Sequence, residues 1–287
     1  MALGVTTSAT TGQPCVVIPH SNGGKVEVQL HGSTVTSFKT SKGVEVLFVS
    51  EEAVFNGTKA IRGGIPLVFP QFGQPDKAMP SHGVARTAAW QLSEEDTPEV
   101  DGHIKANFVL GHSDETLAKW PHKFSLRYEV DLAEDVLGVT LHITNAGEEA
   151  FDFQSLLHTY IAVPEIEDVK IEGFQNLQYI DQVNGRPSFV GRMVLRTSPG
   201  TSSRTVPGTV PGMAPGTIPG TVPGAAGNNY NTSTILGAPF AAKGQSLGDF
   251  GDEEYHKMVC IEPGIVSKFH SIAPGETYSL KQVITPS

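Results

Sequence analysis

Cysteine is scarce in this sequence, and the two cysteines it contains are widely separated. They are Cys15 and Cys260 in a chain of 287 residues. A pair this far apart offers neither the spacing of a metal-binding motif nor the framework of a small disulfide-rich secreted domain. Reduced thiols are typical of intracellular proteins, so a reduced, intracellular setting is the simpler interpretation.

Runs of basic residues and long apolar runs are also absent. The net charge is -10, with 20 lysines and arginines against 30 aspartates and glutamates. Nucleic-acid-binding proteins usually show a basic patch or stripe instead. No segment approaches the roughly 20 apolar residues of a membrane span, and the first residues lack the charged and apolar regions of a signal peptide. We therefore expect a soluble, cytoplasmic monomer with no nucleic-acid or membrane partner.

Long segments with helical periodicity are missing, and the dominant period is two. Alternation of apolar and polar residues is typical of antiparallel sheets with one buried face. One short helix is predicted at 114–120, where Ser113 is a suitable N-cap. The stretches that alternate are 26–30, 124–132 and 137–143, and a short β-rich run covers 44–49.

Length and strand pattern together predict an all-β fold, a large β-sandwich forming a single domain over residues 1–287 with a loosely ordered segment at 1–20. One segment breaks the pattern, because five tandem tetrapeptides ending in Pro-Gly fill residues 205–224. Each proline removes a donor from the ladder of a sheet, and Pro-Gly fits the centre of a type II turn. We predict a mobile Pro/Gly-rich low-complexity loop over 198–233. An elastic tether or partner site is one interpretation, and a tolerated insertion is the simpler one.

His158 lies in the segment 151–161, whose side chains would alternate between two faces of a strand. The odd-numbered residues are mostly apolar and suit a core. The even-numbered residues, which include His158 and Tyr160, suit a polar groove. An imidazole changes charge near neutral pH, so His158 is a candidate acid or base. A structural histidine satisfied by a neighbour is the alternative that this strand alone leaves open.

Two further segments place arginine beside glycine. Arg62 directly precedes two glycines, and the segment 81–86 contains Ser81, His82 and Arg86 around another glycine. Two guanidinium groups on separate loops can clamp one phosphate, although spacing alone does not show that these two converge.

Glu262 follows a short apolar run and precedes Pro263 and Gly264. The Pro-Gly pair predicts a turn at this point. Glu262 is therefore either a solvated turn residue or a carboxylate that the rigid proline holds in a groove.

Taken together, these segments resemble the glucose-6-phosphate 1-epimerase family, which belongs to the aldose 1-epimerase, or galactose mutarotase-like, superfamily. The resemblance extends from about residue 26 to residue 284, apart from the repeats. It implies a large antiparallel β-supersandwich with a sugar groove across one sheet. The matching motifs are Arg62-Gly-Gly-Ile-Pro-Leu-Val-Phe-Pro, His82-Gly-Val-Ala-Arg86, Leu157-His-Thr-Tyr160 and Cys260-Ile-Glu-Pro-Gly264.

The resemblance also implies roles for single residues. His158 and Glu262 match the family's catalytic histidine and glutamate. Arg62 and Arg86 match arginines that hold the substrate and its phosphate. The further substrate-binding candidates are Asp181, which matches a substrate-binding aspartate, Ser81, which stands where related sequences can carry a longer glutamine, and His82, which adjoins these residues.

The implied reaction interconverts the α and β anomers of glucose 6-phosphate or another hexose 6-phosphate. Glu262 would take the proton from O1, and His158 would protonate the ring oxygen O5. This chemistry requires no metal or other cofactor, and we expect none. Two alternatives stay open: a non-catalytic sugar-phosphate binding or regulatory protein on the same fold, and an aldose 1-epimerase for unphosphorylated sugars. The arginine pair argues against the second alternative, because a neutral sugar does not need two guanidinium groups.

Overall fold

The structure is a computed structural model, and it describes residues 3–94, 100–171, 178–181, 186–190, 233–237 and 247–286. Its strands pair in antiparallel sheets, as the alternating sequence predicts. In chain order the strands are β1 (Val5–Thr7), β2 (Pro14–Pro19), β3 (Lys25–Gln29), β4 (Thr34–Lys39), β5 (Leu67–Val68), β6 (Gln91–Leu92), β7 (His103–Gly111), β8 (Phe124–Ala133), β9 (Val136–Asn145), β10 (Phe151–Leu157), β11 (Thr159–Ala162), β12 (Gln178–Asp181), β13 (Arg186–Val190), β14 (Ser233–Gly237), β15 (Met258–Ile272) and β16 (Thr277–Ile284).

The N-terminal residues form part of a sheet with the strand order β1-β2-β3-β4. Cys15, Val16 and Ile18 on β2 are completely buried. The expectation that residues 1–20 are loosely ordered is therefore wrong for Val5–Thr7 and Pro14–Pro19. The reason is visible in β2, where residues 15–18 form an unbroken apolar run instead of the alternation that marks a half-buried strand.

A second sheet, with the order β16-β9-β8-β7-β6, contains the clearest alternation in the sequence. Every second residue of β8 from Phe124 to Leu132 is completely buried, and so is every second residue of β9 from Leu137 to Ile143. Strands β8 and β9 pair along their whole length, from Phe124 opposite Asn145 to Ala133 opposite Val136. This confirms the predicted strands at 124–132 and 137–143.

A third sheet carries the candidate site. Strands β10 and β11 are consecutive parts of one segment, interrupted at His158, and both pair with the long strand β15. Strand β14 also pairs with β15, and β5 pairs with β10. The turn predicted at Pro263 and Gly264 is wrong, because β15 continues through both residues. Gly264 allows this close packing, since a Cβ atom there would overlap the side chain of Leu156.

Most buried apolar side chains of these three sheets form one continuous cluster, while Tyr160, Met258 and Cys260 of the third sheet form a smaller cluster with Phe250. This arrangement is a β-sandwich core. The β-rich run at 44–49 contributes to the core through Val46 and Leu47, but it forms isolated bridges instead of a continuous strand.

One short α-helix, α1 (Asp114–Lys119), confirms the predicted helix within a residue. Ser113 caps it, because its hydroxyl accepts a hydrogen bond from the backbone N–H of Thr116. The other helical segments are single 3₁₀ turns at Ala85–Thr87, Ile166–Asp168 and Glu254–Lys257. Within the described part of the chain, no helix has the length and apolar character that crossing a membrane requires.

The predicted Pro/Gly-rich loop at 198–233 lies outside the described residues, except that Ser233 begins β14. The segment between β12 and β13 and the residues just after β14 lie outside them as well.

Candidate active site

The pairing of β15 with its neighbours places His158 opposite Glu262. Leu156 pairs with Gly264 on one side of His158, and Tyr160 pairs with Cys260 on the other. The register is therefore the same on both sides, although His158 itself lies between two strands. Because side chains alternate along a strand, His158, Tyr160, Cys260 and Glu262 all point to the same face of this sheet.

His158 and Glu262 form a close, mostly buried pair. Nε2 of His158 lies 3.5 Å from Oε2 of Glu262, and the two side chains are only 17% and 7% exposed. The backbone N–H of His158 donates a hydrogen bond to the carbonyl of Pro66, which fixes the histidine against β5. A carboxylate and an imidazole at this separation can act as base and acid on two neighbouring oxygen atoms of one small molecule.

Two aromatic rings define the orientation of the His158 imidazole. The Tyr160 ring stacks on it with a centroid distance of 4.8 Å and an angle of 14° between the planes. The His82 ring stands perpendicular to it at 6.0 Å. His82 is held in place by its own backbone, which has a φ of 65° and an N–H that donates to the carbonyl of Gly73. The structure therefore brings the sequence candidates His82 and His158 together.

The surroundings of His158 keep its imidazole neutral in the free protein. Burial is the largest cause, and the nearby charges of His82, Arg86 and Arg62 act in the same direction, lowering the pKa of His158 to about 3. Nδ1 of His158 is buried without a hydrogen-bond partner among the described residues. A histidine that served only a structural role would normally have such a partner.

Arg62 is anchored by an ion pair with Asp249. Nε and Nη2 of Arg62 donate to Oδ1 of Asp249 at 3.2 and 3.1 Å, and the side chains are 24% and 13% exposed. Burial alone would lower the pKa of Arg62, but a hydrogen bond with Tyr160 and the charge of Asp249 raise it overall. Tyr160 thus contacts both Arg62 and the catalytic candidate His158, which connects the arginine to the acid–base pair.

Arg86 is the less compensated of the two arginines. Its Nη2 donates to the backbone carbonyl of Ser81 at 2.7 Å, while its buried Nε has no partner among the described residues. Burial and then the positive charge of Arg62 lower the pKa of Arg86 to about 10. Arg86 therefore remains protonated at neutral pH. Because Arg62 and Arg86 line the same cleft, the two loops that carry them do converge.

The two arginines line a surface cleft of about 270 Å³ that also includes Lys59 and Asp249. Three cations and one carboxylate leave this cleft with an excess of positive charge, so it suits an anion. Lys59 is exposed, and its backbone carbonyl oxygen lies 2.7 Å from Nε2 of His31, a contact that fixes its backbone.

Glycines allow the loops that carry the arginines to approach the sheet. Gly64 has a φ of 67°, and Gly83 has a φ of 77°. A Cβ atom on Gly64 would overlap the carbonyl oxygen of Val35, and one on Gly83 would overlap that of Phe69. A larger residue at Gly64 or Gly83 would therefore strain the backbone and also collide with the neighbouring carbonyl oxygen.

Two further sequence candidates are Ser81 and Asp181. Ser81 is exposed, and it contacts the site through its backbone carbonyl, which accepts a hydrogen bond from Arg86. Asp181 ends β12 and pairs with Arg186 of β13, and its side chain lies outside what the structure describes. The roles of both as substrate ligands remain predictions.

The sequence gives no direct signal for two residues of the site, Asp249 and Lys59, or for the thiol of Cys260 that lies beside it. Asp249 has no signal in the sequence, since it lies 187 positions from Arg62. Lys59 is three residues before Arg62 and could have been grouped with the arginines. The spacing between Cys260 and Cys15 suggests no metal motif. Cys260 nevertheless shares a strand face with Glu262, two residues further on.

The chain is similar in sequence to known proteins. A sequence model of the family described as aldose 1-epimerase matches residues 14–203. A protein of Cenchrus ciliaris named "Putative glucose-6-phosphate 1-epimerase" is 31% identical over 258 residues, which cover 88% of this chain and 78% of that protein. A protein of Escherichia coli (strain K12) with the same name is 30% identical over 261 residues, covering 91% of this chain and 86% of that one.

Solved structures share the fold. A crystal structure described as a putative mutarotase from Salmonella typhimurium superposes with a TM-score of 0.72 at 23% identity, covering 99% of this chain and 96% of that one. A galactose 1-epimerase from Lactobacillus acidophilus NCFM has a TM-score of 0.62 at 13% identity, covering 99% of this chain and 98% of that one. The predicted galactose mutarotase-like β-sandwich is thereby confirmed.

Proposed function

Because this chain belongs to the aldose 1-epimerase family of isomerases, we propose that it interconverts the α and β anomers of glucose 6-phosphate or a closely related hexose 6-phosphate. The observation that carries the proposal is the convergence of Arg62 and Arg86 on one cleft, connected through Tyr160 to the His158–Glu262 pair. A neutral sugar has no group that needs such a cationic cleft, whereas a phosphate monoester carries close to two negative charges.

In the proposed reaction, Glu262 is the base and His158 the acid. The Glu262 carboxylate takes the proton from the O1 hydroxyl while His158 protonates the ring oxygen O5, so that the C1–O5 bond breaks and an open-chain aldehyde forms. Rotation about C1–C2 presents the other face of the aldehyde. The two residues then exchange roles, as O5 attacks C1 and O1 regains a proton.

Binding of the substrate phosphate also favours protonation of His158, the proposed acid. In the free protein His158 is neutral, in part because Arg86 and Arg62 lower its pKa. A phosphate dianion between these arginines offsets their charge, and this raises the pKa of His158. Burial, the largest cause of the lowered pKa, remains, so the shift is partial. Substrate binding and protonation of the acid are therefore coupled.

Exchange spectroscopy by NMR tests the proposed activity directly. The rate of α/β exchange of glucose 6-phosphate is measured with and without the protein, in the complete chain and in a variant lacking the Pro-Gly repeats. We expect exchange well above the buffer rate with the complete chain. Exchange at the buffer rate with both proteins, together with saturable binding of glucose 6-phosphate, would contradict catalysis and support a sugar-phosphate binding protein.

A further inference from the structure

A thiol lies beside the proposed acid–base pair and takes no part in the reaction. Cys260 is 4% exposed and stands on β15 directly opposite Tyr160. One ligand atom from each of His158, Cys260 and Glu262 can be chosen so that all three lie within 4.8 Å of one another. These residues supply a nitrogen, a sulfur and an oxygen, which is a ligand set that Zn²⁺ accepts.

From this grouping we propose that His158, Cys260 and Glu262 form an inhibitory binding site for a thiophilic divalent cation such as Zn²⁺. The cation blocks the site because it occupies the two groups that would otherwise move protons.

The geometry is close to that of a zinc site with three protein ligands. Zinc–ligand bonds of about 2.0–2.3 Å place tetrahedral ligand atoms about 3.3–3.6 Å apart. The 3.5 Å between Nε2 of His158 and Oε2 of Glu262 already falls in this range. The upper bound of 4.8 Å for the trio exceeds this tetrahedral spacing by about 1.2–1.5 Å. Small rotations of the side chains cover such a distance. The fourth position would take water, as in open zinc sites.

The charges also balance. A cysteine thiolate and the Glu262 carboxylate carry two negative charges, which compensate those of the dication, while His158 binds as the neutral base. The neutral imidazole of the free protein is therefore ready to bind a metal, and the thiol proton is released to solvent. The neighbouring cations Arg62 and Arg86 oppose a bare dication, but they do not oppose this neutral complex in the same way.

Sulfur selects among cations. Mg²⁺ and Ca²⁺ prefer oxygen ligands, whereas thiolate and imidazole favour zinc and similar metals. The site is therefore expected to discriminate by chemistry: Zn²⁺ and Cd²⁺ inhibit, while Mg²⁺ at the same concentration leaves the exchange rate unchanged.

The first test is metal binding, which does not depend on activity. Titration of the complete protein with Co²⁺ is followed by absorption, because a thiolate ligand gives a sulfur-to-cobalt charge-transfer band in the near ultraviolet. We expect this band to appear, to disappear when Zn²⁺ is added, and to be lost in Cys260→Ser. Its persistence in Cys260→Ser, or its absence from the wild-type protein at saturating Co²⁺, would overturn the proposal.

The second test is inhibition, and it alone rests on the proposed function. Cys260→Ser should keep its metal-free exchange rate within about twofold, while the Zn²⁺ concentration for half inhibition rises by at least about tenfold. Cys15→Ser is the matched control, since Cys15 is a completely buried thiol on β2, and it should keep the wild-type sensitivity. Equal sensitivity of Cys260→Ser and wild type would contradict the assignment. Metal binding without any exchange activity would leave this site intact and contradict only the proposed reaction.

Discussion

The two halves of the candidate site are built in different ways. His158 and Glu262 stand on paired strands, where a common register on both sides of His158 fixes which side chains meet. Arg62 and Arg86 stand on glycine-containing turns, where an ion pair with Asp249 and a backbone carbonyl of Ser81 hold them. A group that transfers protons needs the rigid position that a strand provides, whereas a phosphate is recognised mainly by charge and tolerates a surface cleft.

This comparison predicts that His158 and Glu262, the strand half of the site, control the reaction rate. Glu262→Gln and His158→Asn should each lower the rate of glucose 6-phosphate anomer exchange by about a hundred- to ten-thousand-fold, because each removes one proton-transfer group. The rates are compared by NMR at equal protein concentration. Thermal unfolding of each variant is the control for folding, and a well-folded variant with a wild-type rate would remove that residue from the mechanism.

Arg62 and Arg86, the turn half of the site, should control the choice of substrate. Arg62→Met or Arg86→Met removes a charged hydrogen-bond donor worth about 1.5–3 kcal/mol, so kcat/KM for glucose 6-phosphate should fall by roughly 10- to 150-fold. For free glucose the change should be small. Arg127→Met is a matched control, because Arg127 lies on β8 and pairs with Asn107 and Glu129. Equal losses for both sugars would mean that the arginines do not hold a phosphate.

The close packing beneath the strand half can be tested through a glycine. Gly264→Ala places a Cβ atom against Leu156 and Ser155, so it should lower the free energy of unfolding by about 1–3 kcal/mol and reduce the exchange rate. Gly138→Ala on β9 is the control, since a Cβ atom there meets Asp131 at an ordinary 3.6 Å. Denaturant unfolding of both variants decides the matter, and equal stabilities would show that Gly264 is not needed for the register.

The smallest expected effect is an uptake of protons by His158 when the substrate phosphate binds to Arg62 and Arg86. Phosphate binding beside Arg62 and Arg86 raises the lowered pKa of His158, so the complex should take up a fraction of a proton from solvent. The groups that face His158 are Glu262, His82, Arg62, Arg86 and the side chains of Tyr160 and Cys260.

Calorimetric titration in two buffers with different ionisation enthalpies measures this uptake. The phosphate ester itself has a second pKa near 6, so the measurement is made near pH 7.5, and His158→Asn is the reference. Wild type should take up more protons than the variant, and the difference should shrink as the pH rises further above the pKa of His158. The same proton count for both proteins would show that His158 is not charged by substrate.

The sequence predicts the strand half of the site more completely than the turn half. The alternation in β8 and β9 predicts their buried faces correctly because both strands are covered on one side only. Alternation also places His158 and Tyr160 on one face. It does not predict that Leu156 and Tyr160 on that face are buried, because their cover comes from distant segments.

The failures have similar causes. Pro263 and Gly264 signal a turn locally, yet β15 continues because pairing with β10 and β14 outweighs the local preference. The ion pair of Arg62 with Asp249 joins residues 187 positions apart, and no local pattern encodes such a contact. The pairing of arginine with glycine marks both arginine loops in the sequence, but only the three-dimensional structure shows that they converge.

The central claim, that the acid–base pair and the arginine cleft form one site for a phosphorylated sugar, is tested most directly by the ratio of kcat/KM for glucose 6-phosphate to that for glucose. Two charged contacts to the phosphate that are kept in the transition state predict a ratio of at least about a hundred. A ratio near one, measured by NMR exchange with wild-type protein, would contradict the claim and favour an aldose 1-epimerase for unphosphorylated sugars.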